Sequence, residues 1–286
     1  MADLFIVNFY SSQSIRMVEV SAPFDQYHYR CILFIILYLR DELLVSLVED
    51  ENQFITEMGV TQSAAGSCVS RQGGAMVTAR IEPFLAVRSD DSIIVPHIDA
   101  APVIPQRIVE DAEVLLRQLI EEEAFFKRDQ LVTANGRLMW ILHLHIAILN
   151  LDGCLLDTLV TCVTGAFLDL QLPKVNVDLD EDITVNINEA VLSEQSEHIS
   201  LADLPVLSTF IAKVLCDPVA DLFDLLTSSA SIVIGNNARV YRMTIHGYCG
   251  DEGTLRTLFE LAASRQKLVS ESLVKARDAH HKTTSS

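Results

Sequence analysis

Residues Leu138 to Leu149, LMWILHLHIAIL, constrain this chain more than any other stretch. Apart from His143 and His145, both alternating sets of side chains are apolar, which is how a strand covered on both faces reads. Asp152-Gly153 ends the run. Leu155 to Leu170 then has the apolar pattern of a helix, and Pro173 is expected to stop it. A strand of this kind feeding an apolar helix calls for a layered arrangement of sheet and helix. The chain has 286 residues, 50% of them hydrophobic, and a positive mean hydropathy, so one large domain or two smaller ones can bury a substantial core.

The flanking segments divide around that core. Residues 1–22 are mixed and polar and read as an extension. Phe24 to Val48 is apolar on most faces, as expected of a helix wedged between other elements, with Cys31 to Leu39 building core. Gly59 to Val87 changes to short β-like runs punctuated by Gly66, Gly73 and Gly74. Ile93 to Val103 is strand-like and leads into a loop bounded by Pro102 and Pro105. Ile104 to Phe126 is an amphipathic helix with an acidic outer face, apolar at Ile108, Ala112, Leu115, Leu119 and Ile120.

After the central helix, residues 177–203 form a polar, acidic connector with an edge-strand candidate at Ile183 to Asn188. Pro205 to Leu215 is again strand-like. Ser229 to Ile234 and Arg239 to His246 flank Gly235-Asn236-Asn237, a hairpin signal. An amphipathic helix from Thr254 to about Ala276, apolar at Leu255, Leu258, Phe259, Ala262, Leu268 and Leu273, precedes a tail, residues 280–286, expected to fray. The order predicts an α+β (α/β) fold with two related halves, residues 23–176 and 204–279.

Charge and cysteines narrow the chemistry. There are 39 acidic and 21 basic residues, a formal net of -18. Such a chain repels a phosphate backbone, because non-specific nucleic-acid affinity comes mainly from Lys and Arg. Any RNA it serves should be held mostly by basic partners; solubility alone also accounts for the charge. The six cysteines, Cys31, Cys68, Cys154, Cys162, Cys216 and Cys249, contain no C-x-x-C pair and fit reduced, buried thiols. The first residues lack the basic start of a secretory signal. CILFIILYL is about half the roughly 20 residues of a membrane span, so a soluble, intracellular protein is expected.

Gly66-Ser67 with Gly73-Gly74, the strand–turn–helix from Leu149 to Pro173, and Asp217-Pro218 to Ile234 together resemble the RNase PH family. Gly66-Ser67, with Gly73-Gly74 seven residues on, is similar to the family's opening hairpin. Leu149 to Pro173, preceded by the strand through Trp140, is similar to its core strand–turn–helix. Asp217-Pro218 to Ile234, DPVADLFDLLTSSASIVI, is similar to its Asp-Pro turn, acidic loop and following strand. Val95-Pro96-His97-Ile98-Asp99 and the Gln171-Leu172-Pro173 exit resemble, within the family, the inert ring subunits of the eukaryotic RNA exosome. The resemblance implies an RNase PH-like fold of two βαβα halves, ribosomal protein S5 domain 2-like. Departures are also plain: only Arg40-Asp41-Glu42 stands where the family has an Arg-Pro-Asp-Gly-Arg-like segment, and Gly74-Ala75 replaces an Asn-Thr.

The resemblance also locates missing chemistry. Phosphorolysis needs a phosphate held by Arg and hydroxyl donors, and an acid near the scissile bond. The family's phosphate Arg falls on Leu156 and its catalytic Asp on Ser229, while two acids of the loop after Asp221 become Leu222 and Phe223. Asp217, Asp221 and Asp224 are therefore read as turn and loop residues. His143 and His145 share a strand face, a possible metal pair; with no Cys or acidic pair placed to complete it, core or interface histidines are preferred. The Gly66 to Gly74 loop lacks the Gly-Lys-Ser/Thr of a P-loop. Arg71, and Lys267, Lys275, Arg277 and Lys282, read as solvated surface. No catalytic, cofactor-binding or metal-binding residue is assigned.

The resemblance implies a non-catalytic structural subunit of the hexameric exosome ring, supporting 3′-to-5′ RNA processing and degradation. Its partners would be other RNase PH-like ring subunits and S1/KH-type cap subunits, with RNA met through the assembled complex and no membrane. The expected location is nucleus, nucleolus and cytoplasm. The alternative is an active phosphate-dependent exoribonuclease using other residues. A third reading is a protein of this fold recruited outside RNA metabolism.

Overall fold

The computed structural model describes residues 4–9, 15–20, 54–61, 64–88, 93–133, 136–151, 154–176, 191–211, 215–216, 229–247 and 252–284. The expected helix over Phe24 to Val48, with its apolar centre Cys31 to Leu39, lies outside these residues. So do the strand candidate Ile183 to Asn188 and the loop bearing Asp217, Asp221 and Asp224. Packing divides the chain into Met1–Glu51 and Asn52–Ser286. In the first unit, the stretch read as an extension carries a hairpin instead, β1 (Leu4–Phe9) antiparallel to β2 (Ile15–Val20), with Leu4 opposite Val20 and Phe9 opposite Ile15.

In the second unit, β3 (Phe54–Met58), β4 (Gly66–Gln72), β5 (Ala75–Val87), β6 (Ile94–Ala100) and β7 (Leu138–Asn150) form a sheet ordered β3-β4-β5-β7-β6. β4 turns into β5 through Gly73-Gly74, and Gly73 takes the positive φ (57°) that a tight hairpin needs. β6 and β7 are parallel. Parallel neighbours cannot be joined by a tight turn, and the crossover holds helix α1 (Gln106–Glu121). Its buried residues, Ala112, Leu115, Leu116 and Leu119, are those of the apolar stripe in the sequence.

β7 alternates. Leu142, Leu144 and Ile146 are fully buried, whereas Ile141, His143, His145 and Ala147 on the other face are half-exposed. The expectation that both faces are covered is thus corrected: helices pack on one face, and the two histidines mark the partly solvated one. Helix α2 (Leu155–Leu168) packs on β4 and β5, and also on β10 of a second sheet. That sheet is ordered β11 (Leu215–Cys216), β10 (Val206–Ile211), β12 (Ser229–Ile234), β13 (Val240–His246). A helix between two sheets has no solvent face, which explains why every α2 residue except Leu156 is buried. Two glycines let it approach β4. A Cβ on Gly66 would stand 2.6 Å from the Ala166 carbonyl oxygen, and one on Gly165 2.6 Å from Cys68 Sγ.

Pro173 does not end α2. The helix stops at Leu168, and Gln171 N donates to the Ala65 carbonyl, tying the chain to the first sheet. Pro173 lies within β8 (Gln171–Asn176), opposite Ser196 of β9 (Val191–His198), where the register then shifts. A two-stranded ribbon tolerates a residue without an N–H. β9 also puts a strand inside the expected connector.

Helix α3 (Glu252–Thr284) is longer than its apolar pattern predicts, and residues 280–284 continue the helix instead of fraying. Leu258 and Ala262 pack with Phe210, Ala230 and Ile232, while Val269 and Leu273 join the main core beside α2. Leu268, expected on the apolar face, is 50% exposed. Buried positions 258, 262, 266, 269 and 273 define one helical stripe, and residue 268 falls outside it.

Candidate functional site

The locus that the resemblance singles out is where the start of α2 meets β10 and β12. Leu156 lies in the first turn of α2, half-buried against the main core. A leucine offers no donor to a phosphate. Ser229 begins β12, opposite Ile211 of β10 and His246 of β13. The β10–β12 register sets Ser229, Ser231 and Thr209 on one face, the face that meets α2 through Asp157. The structure thus brings both positions to neighbouring elements.

What occupies the locus is an acidic lock. Asp157, one residue after Leu156, has no exposed surface. Its Oδ1 accepts from Thr209 Oγ1 at 2.7 Å and its Oδ2 from Thr209 N at 3.0 Å. Arg265 Nη1, from α3, donates to the same Oδ2 at 3.1 Å. Thr209 Oγ1 lies 3.1 Å from Ser231 Oγ. A carboxylate here is favoured by the positive end of the α2 dipole and by a partner cation. Its charge is taken up inside the core, by Arg265 and Thr209. Sequence reasoning missed this group. Its signal was a single acid in the first turn of an otherwise apolar helix, while both partners lie far along the chain.

A second polar cluster closes the other end of α2. Ser67 N donates to Asp169 Oδ2 at 3.1 Å, and His280 Nε2 lies 3.8 Å from Oδ1. Burial pushes the Asp169 carboxyl up; the Ser67 N–H and the nearby His280 oppose this. His198 of β9 meets the His281 ring edge-on, centroids 4.6 Å apart, and burial lowers its pKa.

The third cluster lies on the half-exposed face of the first sheet. His143 and His145 share that face, and His97 of β6 joins them, its ring stacked on both at 5.3 and 5.0 Å between centroids. His97 Nε2 is 3.1 Å from His143 Nδ1, and His145 Nε2 is 3.5 Å from Glu82 Oε2. Burial lowers the pKa of His143, with the neighbouring His97 and His145 acting in the same direction.

Other residues take the expected places. Arg71 is exposed and donates to the Gly73 carbonyl at 3.1 Å. Cys68, Cys154 and Cys162 are unbridged and buried in the core. Among the described residues, no helix is long and apolar enough to cross a membrane.

No protein-family profile matches the chain. Solved structures share its architecture. A chain described as an archaeal exosome core superposes with a TM-score of 0.59 at 21% identity, covering 84% of this chain and 98% of the other. The Archaeoglobus fulgidus exosome with RNA bound to the active site gives 0.60 at 19% identity, covering 83% and 99%. The fold is therefore the RNase PH-like one, α+β around a central mixed sheet. In sequence, the chain is similar to the exosome complex component Rrp42 of Pyrococcus furiosus, 22% identical over 253 residues, 81% of this chain and 88% of that protein.

Proposed function

We propose that this chain is a non-catalytic structural subunit of an RNA exosome ring. The observation that carries the reading is the start of α2. Leu156, the position to which the motif resemblance assigns the family's phosphate Arg, packs against the core, and the next residue, Asp157, is a buried carboxylate spent on Thr209 and Arg265. Ser229, on the facing strand, carries a hydroxyl where the family's acid would stand. Losing one preorganised charge-stabilising group costs a catalytic site about 3–4 kcal/mol of transition-state stabilisation, and here two positions are replaced. The similarity to archaeal Rrp42 and to exosome core chains supports a place in the ring.

The finer assignment rests on the motif resemblance. It puts the chain nearest the inert eukaryotic subunit called exosome component eight in animals, beneath S1/KH-type cap subunits, in nucleus, nucleolus and cytoplasm, serving rRNA maturation and mRNA turnover. With a net charge of -18, the chain would leave RNA contact largely to basic neighbours.

The alternative, phosphorolysis by this chain, draws on its likeness to an exosome with RNA in its active site. One experiment separates the two. Purified full-length chain is incubated with single-stranded RNA and inorganic phosphate, and in parallel used as bait for partners. The expected result is no nucleoside diphosphate and co-purification with RNase PH-like subunits. Nucleoside diphosphate release by the chain alone, or a monodisperse monomer that captures no such subunit, overturns the proposal.

A further inference from the structure

His143 and His145, read alone, lack the partners of a binding site. The tertiary structure supplies them. Parallel pairing of β6 with β7 places His97 opposite His145, and β5 sets Glu82 opposite His143. Four residues from three neighbouring strands thus share one accessible face. The 3.1 Å between His97 Nε2 and His143 Nδ1 is a hydrogen bond as the rings stand, and the same spacing serves two ligands on one ion once the rings tilt toward a common point. With zinc–nitrogen bonds of about 2.0–2.1 Å, tetrahedral ligand atoms stand ~3.3 Å apart. His145 has one ring nitrogen beside the Glu82 carboxylate. An imidazole held in that way has its tautomer set and its other nitrogen directed to a metal. Phe84 packs edge-on against His143, centroids 4.8 Å apart, and steadies that ring.

We propose that His97, His143 and His145 form a binding site for a divalent transition-metal ion, zinc foremost, with Glu82 orienting His145. As the rings stand, His97 and His143 are at ligand spacing, and among the described residues no three donors yet converge. Closure takes a turn of the His145 ring about its Cβ–Cγ bond, a broad torsion, with the partly exposed Glu82 carboxylate following the Nε2 proton as the ring turns. His97 then binds through Nε2 and carries its proton on Nδ1, so the imidazole stays neutral and the hydrogen bond to His143 gives way to the shared ion. Water fills the fourth position.

The test is a cobalt(II) titration of the full chain after dialysis against EDTA, followed by zinc displacement. A 1:1 complex with the visible spectrum of tetrahedral cobalt is expected, bleached by zinc, and zinc should raise the thermal midpoint. His97→Gln and His143→Gln, checked for folding by circular dichroism, should lose the spectrum. Glu82→Gln should weaken binding by roughly tenfold or more. His198→Gln, in the other histidine cluster, should change nothing. Absence of a tetrahedral spectrum, its survival in His97→Gln and His143→Gln, or equal loss in His198→Gln overturns the site.

Discussion

Arg265→Met removes the cation that faces a carboxylate with no exposed surface, Asp157. Breaking a buried ion pair from one side costs about 3–5 kcal/mol, because the remaining charge stays desolvated. The Arg265 side chain is 17% exposed and Thr209 keeps its two hydrogen bonds to the carboxylate, so the low end applies, ~3 kcal/mol. That is more than a hundredfold in the folding equilibrium. At an m-value of about 3 kcal/mol/M, the urea midpoint falls by about 1 M. Trp140, the single tryptophan, is 7% exposed in β7, and its emission reports unfolding of the main core. Asp157→Asn and the double variant complete a cycle in which a coupling of at least about 1.5 kcal/mol is expected. A shift under ~1 kcal/mol for Arg265→Met, or additivity in the cycle, would refute the view that the start of α2 is locked by this pair.

Two further outcomes follow from the packing of α2. Burial raises the Asp169 pKa above its ordinary value of 3.8, so between the unfolded and folded values the native state binds more protons than the unfolded chain. The stability of this group is therefore greatest below the unfolded value and declines as pH rises through the folded one. Asp169→Asn abolishes that dependence: in urea titrations across this window, wild type should lose ground to the variant as pH rises, and a flat or opposite difference contradicts the burial argument. Gly66→Ala puts a Cβ 2.6 Å from the Ala166 carbonyl and 2.9 Å from Leu170 Cα, both backbone, so α2 must move. A loss of about 2 kcal/mol is expected, read by calorimetry as a midpoint lowered by several degrees, and an unchanged midpoint would show that the helix shifts freely.

Much of the second unit was legible residue by residue. The runs over Gly59 to Val87, Ile93 to Val103 and Leu138 to Leu149, the stripe of α1 and the turn at Gly235 to Asn237 are local patterns, and strands and helices answer to them. Errors came where a local rule met a tertiary exception. Pro173 reads as a helix stop, yet a two-stranded ribbon accepts it. The last turns of α3 read as a fraying tail, yet His280 packs over Gly59 and near Asp169. The two-sided apolar look of β7 overstated its cover, because Ile141 and Ala147 share a half-exposed face with two histidines.

The candidate sites divide the same way. The motif resemblance could single out Leu156 and Ser229 because a motif is a run of neighbours, and a departure from it shows in the linear text. It could not reach the polar groups packed around them. Asp157 and Arg265 are 108 positions apart, and His97 and His143 are 46 apart. Periodicity and turn chemistry are carried by contiguous residues and survive in the linear text. Pairing across a parallel crossover, or between two helices packed on the same strand β10, is decided only when the core closes and sets which faces meet.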